Sequence, residues 1–134
     1  MTSDLITRLS KLDAPDREVD ADICIALQYV TQKGATNIRR DTDEEFKDEW
    51  LDFEVDGELW SEKTPELTAS VDAVIALAER ELPGANVLIG WGQTKETKPW
   101  ARIGVTPSHD ATGFNLAIAL LIALLRAKEA SNGQ

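Results

Sequence analysis

A chain of 134 residues, 43% hydrophobic and 28% charged, is long enough to bury a core without staples and reads as one soluble globular domain. Its single cysteine, Cys24, excludes an intramolecular disulfide and any cysteine-based metal cluster within one chain. The net charge of −10 lies wholly in the first half: residues 1–70 hold 18 carboxylates and 8 Lys or Arg, while residues 71–134 hold 6 and 6. Such a field repels phosphates and argues against direct nucleic-acid binding by that half, leaving solubility, a basic protein partner or weak cation binding as its uses.

The N-terminal run Met-Thr-Ser-Asp-Leu-Ile-Thr-Arg-Leu-Ser lacks a continuous apolar core, so no signal peptide is expected and a cytoplasmic location is expected. Leu5, Ile6, Leu9 and Leu12 at helical spacing predict a helix over residues 3–12 with Ser3 as its cap. Pro15 suits the first turn of a second helix, with Asp16 and Glu18 favoured there by the helix dipole. Its apolar stripe is Val19, Ile23, Ala26, Leu27 and Val30, and Gly34 is expected to end it. Cys24 beside that stripe reads as a small core residue.

Residues 31–49 are polar and predict a loop, or a short exposed helix near Glu44–Trp50. Leu51, Phe53 and Val55 then alternate with acidic residues, which predicts a half-buried strand, and Asp56-Gly57 predicts a hairpin into Glu58-Leu59-Trp60. Asp52, Glu54, Asp56 and Gly57 mimic the start of a calcium loop, but the closing position is Lys63 and the alternation belongs to a strand, so no metal is expected.

A third helix follows, capped by Thr68 or Ser70, with Val71, Val74, Ile75, Ala78 and Leu82 on one face and Leu82-Pro83-Gly84 as its stop. Two strands come next, Val87–Trp91 and Trp100–Val105. Trp100 and Arg102 share one face of the second, and Pro99 at its start suggests a sheet edge. The last helix, Thr112 to Ala130 with Thr112 as N-cap, is apolar on nearly every side, since only Asn115 is polar between Phe114 and Leu125. That run is too short for a bilayer, which takes about 20 residues, so it predicts the buried centre of the fold.

Chemistry is harder to read. His109 is the lone histidine, and its Ser-His-Asp neighbours in sequence do not make a triad, whose members meet through the fold. Gly90-Trp91-Gly92 lacks the Lys-Ser/Thr of a phosphate loop. The remaining cluster is Trp91, Lys95, Lys98, Trp100 and Arg102 on one hairpin, with His109 near its end. Tryptophans interleaved with cations can stack a base and hold a phosphate; equally, the rings can fill a core and the lysines keep a turn soluble. In the acidic half, Asp43, Glu44, Glu45 and Asp48 are the candidate contacts for a basic protein. No catalytic residue and no cofactor is assigned.

The segments Thr-Ala-Ser-Val-Asp-Ala-Val-Ile-Ala-Leu-Ala at 68–78, Lys-Pro-Trp-Ala-Arg-Ile-Gly at 98–104 and Ala-Ile-Ala-Leu-Leu-Ile-Ala-Leu-Leu-Arg-Ala at 117–127 occur in an order that resembles the phage ABA sandwich domain family. The resemblance covers about half the chain. It implies a phage or prophage origin and a three-layer α/β/α sandwich, and it carries over no catalytic residue. The expectation is one α/β domain over 1–134, built on a mainly antiparallel sheet of about four strands, with an acidic segment at about 31–64. Its function is expected to be binding without catalysis: sequestering a small anionic, nucleotide-like ligand in a host-defence context, or engaging a basic partner through residues 41–66. Four tryptophans and an all-apolar helix also predict a homodimer.

Overall fold

A computed structural model describes residues 2–91, 98–104 and 109–132. Among the described residues the chain forms, in order, α1 (Thr2–Ser10), α2 (Arg17–Leu27), β1 (Thr36–Arg40), β2 (Trp50–Val55), β3 (Glu58–Lys63), α3 (Val71–Glu81), β4 (Val87–Gly90), β5 (Trp100–Ile103), β6 (His109–Thr112) and α4 (Leu116–Asn132). These gather into two compact units. Asp16–Glu66 makes a continuous inserted unit; Met1–Pro15 and Leu67–Gln134 together make a split unit. The strands form two three-stranded antiparallel sheets, β1-β2-β3 and β4-β5-β6, where the sequence suggested one sheet of about four.

In the inserted unit α2 begins two residues later than its proline suggested. Asp16 is extended, and its carboxylate accepts the Val19 N–H at 3.1 Å, so Pro15 lies outside the helix. The helix also ends well before Gly34, because Gln28 takes a left-handed conformation (φ 52°). The Gln28 amide then acts as a strand neighbour: its Oε1 accepts the Ile38 N–H at 3.0 Å and its Nε2 donates to the Ile38 carbonyl at 2.9 Å. This holds β1, which the sequence hid because Thr-Asn-Ile-Arg-Arg offers one apolar side chain and a register shift between Thr36 and Arg39. The hairpin from β2 to β3 forms as its pattern predicts, with Asp56 and Gly57 both at positive φ (52° and 83°). Leu51 and Phe53 are buried on β2, as are Val19, Ile23 and Cys24 on α2.

One arginine clasps the two ends of this unit. The Arg17 guanidinium pairs with the fully buried Asp20 at 2.9 Å, donates to the Thr64 carbonyl at 2.7 Å and lies 3.6 Å from Glu49.

In the split unit α4 is the centre. Every residue from Ala117 to Leu125 is buried, and α1, α3 and all three strands pack on this helix. None of the described helices is long and apolar enough to cross a membrane. The start of α4 differs from expectation. Thr112 belongs to β6, and the cap is Asn115, whose Oδ1 accepts the Ile118 N–H at 2.8 Å while its Nδ2 donates to the Thr68 carbonyl at 3.0 Å. The one polar residue of the apolar stretch therefore starts the helix and ties it to the chain leading into α3. Gly113 is needed just before it, since an added Cβ would stand 2.8 Å from the Ala119 nitrogen. Ser70 caps α3, its hydroxyl accepting the Ala73 N–H at 3.2 Å.

Candidate functional site

Period-two alternation gives sheet β4-β5-β6 two different faces. Ala101 and Ile103 on β5 and Ala111 on β6 are buried on the side where α4 packs. Their neighbours Trp100, Arg102, Asp110 and Thr112 therefore point the other way, and all four are exposed. Register places Trp100 opposite Thr112 and Gly90, and Arg102 opposite Asp110 and Leu88. Pro99 marks no edge: it precedes β5, the central strand, and its carbonyl accepts the Gly113 N–H at 3.1 Å.

The Trp100 indole lies against Gly90, where a Cβ would meet its Cζ2 at 2.7 Å. A glycine there makes room for the ring against the strand, and Trp100 stays 38% exposed. Arg102 forks onto Asp110, Nε to Oδ1 at 2.7 Å and Nη2 to Oδ2 at 3.2 Å. The hydrogen bond and charge of Asp110 raise the Arg102 pKa above its ordinary value, so this cation is permanent. Arg126 reaches the same place from α4, its Nη1 donating to the Asp110 carbonyl at 2.8 Å. Trp100, Arg102, Asp110, Thr112 and Arg126 line one depression of about 490 Å³.

Of the residues the sequence singled out, the structure thus brings together Trp100 and Arg102. Trp91 lies just past the end of β4 and is 71% exposed, and Lys98 is exposed before β5. Lys95 lies outside the described residues. The backbone of His109 pairs with Ile103 at the far end of β6. Arg126, Asp110 and Thr112 were missed. Arg126 had a signal, being the first charge after a long apolar run, but nothing in sequence says that its head group reaches β6. His-Asp-Ala-Thr is too short and polar to announce a strand.

The acidic segment divides by role. Asp43, Glu44 and Glu45 are exposed, within a series of turns in which Asp41 accepts the Asp43 N–H at 2.7 Å and Asp43 accepts the Glu45 N–H at 3.0 Å. Glu44 pairs with Lys47 at 3.1 Å. Asp48 behaves differently. It and Asp22 of α2 hold Arg40 between them, Asp48 Oδ1 at 3.1 Å from Arg40 Nε. Burial pulls the Arg40 pKa down, but the hydrogen bonds and charges of Asp22 and Asp48 outweigh it and leave the pKa raised. Asp48 is thus a structural member of the inserted unit as well as a surface carboxylate. That unit carries sixteen carboxylates against six Lys or Arg, and the split unit eight against eight, so the whole −10 belongs to the insert.

Asp52 and Glu54, at the start of the calcium-loop mimic, are engaged across the strands, Asp52 accepting from the Ser61 hydroxyl at 2.8 Å and Glu54 facing Arg39 at 3.5 Å. Among the described residues no group of three or more His, Cys, Asp or Glu side chains is gathered where it could hold a metal ion. Comparison of the chain with family models, curated proteins and solved structures found no match.

Proposed function

We propose that this chain acts by binding and not by catalysis, and that it holds a small anionic ligand with a flat ring, nucleotide-like in chemistry, in the depression on the open face of β4-β5-β6. The observation that carries the reading is the convergence there of one ring and two guanidinium groups, Trp100, Arg102 and Arg126, from a strand and a helix far apart in sequence. A base stacks on the exposed Trp100 indole, and stacking of this kind contributes about 1–3 kcal/mol. The anionic group takes the two arginines, whose fork geometry suits phosphate or carboxylate. The Arg102–Asp110 pair is exposed, and exposed pairs contribute little, so an anion competes for Arg102 while Asp110 accepts from an amino or hydroxyl group of the ligand.

A role as a phage or prophage accessory protein, sequestering such a ligand in a host-defence setting, belongs to this proposal. So does a three-layer α/β/α arrangement, which α4 on one face of the sheet supports in part.

The test is calorimetry or tryptophan fluorescence against mono-, di- and cyclic nucleotides. Asp110→Asn removes the competing carboxylate and is expected to tighten binding, while Trp100→Ala with Arg102→Ala abolishes it. Binding that survives the double change, or no binding across the panel, sinks the reading. A second reading is supported by the charge partition. An insert holding all of the −10 offers a basic protein a target through Asp43, Glu44 and Glu45, and such binding would weaken steeply with salt.

A further inference from the structure

Strand β4 closes one side of its sheet, and it is not built like a protected edge. Free edges are usually blunted by Lys, Pro, a bulge or a cover. Val87-Leu88-Ile89-Gly90 has no charge and no proline, and its register with β5 is unbroken. The Gly104 N–H donates to the Asn86 carbonyl at 3.0 Å, so Asn86 turns its backbone groups toward β5. Antiparallel alternation then turns Leu88 and Gly90 the same way and leaves the N–H and C=O of Val87 and Ile89 facing outward. Leu88, on the open face, is 53% exposed, and Ile89, on the helix face, 37%. Beside Ile89 runs an apolar groove of about 290 Å³, walled by Ile75, Ala78 and Leu82.

What covers this edge has to be extended, apolar and uncharged, and β4 itself meets each condition. Charge favours the same partner. The split unit, with eight carboxylates and eight cations, meets its own copy without net repulsion, whereas two inserted units at −10 each repel.

We infer that the chain pairs with a second copy of itself, β4 against the partner's β4, in one continuous six-stranded antiparallel sheet. Of the registers that symmetry and side-chain alternation allow, the one centred on Leu88 lets both outward-facing residues of β4, Val87 and Ile89, pair within the strand. A two-fold axis perpendicular to the sheet keeps each face on its own side, so only residues of the same face meet across it. Val87 then lies opposite the partner's Ile89, a pair whose outward backbone groups exchange hydrogen bonds. Leu88 meets the partner's Leu88 in the closer, non-hydrogen-bonded pair between them. On the helix face Val87 and Ile89 of the two copies form one apolar row joining the two grooves. The inference goes beyond the ligand proposal and does not depend on it, because mass is measured with no ligand present.

Light scattering of the full chain at tens of micromolar is expected to give a dimer mass. Leu88→Lys is expected to give a monomer with unchanged circular dichroism, while Leu59→Lys, at a still more exposed site on β3, leaves the dimer intact. Oxidised Leu88→Cys is expected to cross-link, because non-hydrogen-bonded pairs stand about 4.5 Å apart at Cα, within the range a disulfide spans. Cys24 is fully buried and does not compete. A monomer mass for the unaltered chain overturns the inference, as does a dimer that Leu88→Lys leaves intact. If Leu88→Lys does not fold, the cross-link decides, and its failure overturns the inference.

Discussion

Asn115 makes two separable contacts, so its replacements can be ranked in advance. Alanine removes both: the cap to the Ile118 N–H at 2.8 Å and the donation to the Thr68 carbonyl at 3.0 Å. A lost cap costs typically about 1 kcal/mol, and a lost hydrogen bond to a part-buried carbonyl about 1 kcal/mol more. Asn115→Ala is therefore expected to cost about 2 kcal/mol, or about 7 °C in Tm for a chain of this size. Asn115→Asp keeps the capping oxygen and places a negative charge at the helix start, where the dipole favours it, but offers no N–H to Thr68. It is expected to fall between the two, about 1 kcal/mol below wild type. Thermal melts followed by circular dichroism read the series, and urea melts check that the slope is unchanged. An Asn115→Ala variant melting within a degree of wild type would refute the assignment of the cap. Aspartate falling below alanine would refute the split between the two contacts.

The other expectations concern the core, the site and the acidic insert. Leu121→Asp or Leu124→Asp places an unpaired charge at a fully buried position and is expected to abolish soluble folding, several kcal/mol being at stake; a cooperative melt near wild type would contradict it. Gly90→Ala is expected to swing the Trp100 ring off the strand, shifting its fluorescence and removing ligand binding with Tm lowered by only a few degrees. Unaltered nucleotide titrations in that variant would exclude the indole from the site. Reversing Asp43, Glu44 and Glu45 to lysine is expected to leave stability near wild type, since all three are exposed. Adding Asp48→Lys brings a like charge to Arg40 and is expected to cost about 1 kcal/mol more in urea melts; an equal midpoint for both sets would remove Asp48 from the Arg40 pair.

The parts of the fold legible in sequence are those where one signal dominates. Nothing competes with an unbroken apolar run, so α4 was readable as the centre. Asp-Gly between two alternating runs fixed the β2–β3 hairpin, because few turns other than type I′ accept two positive φ values. What stayed hidden depends on partners remote in the chain. β1 is held by the Gln28 side chain, and β6 is four residues identified as a strand by β5 alone. Asn115 looked like a flaw in an apolar helix because its value lies in reaching the Thr68 carbonyl. Within the candidate site Trp100 and Arg102 share a face by simple alternation, which sequence shows. Arg126 joins them only because α4 lies along the sheet, which sequence does not show.

The arginine that clasps the ends of the insert also bears on how the outer unit closes. Helix α1 docks on α4, about a hundred residues further along the chain, so the encounter has to close a long loop. Closing a flexible loop costs about 0.6 kcal/mol for each doubling of its length. Once residues 16–66 have folded and Arg17 has caught Thr64, fifty-one residues count as a link only as long as one side chain. That roughly halves the loop of about one hundred residues between α1 and α4, sparing about 0.6 kcal/mol of closure entropy. The insert is contiguous and is synthesised before α4, so it can complete itself while the last helix is still being made. Arg17 therefore works in time as well as in space: it shortens the tether before the two ends of the outer unit meet.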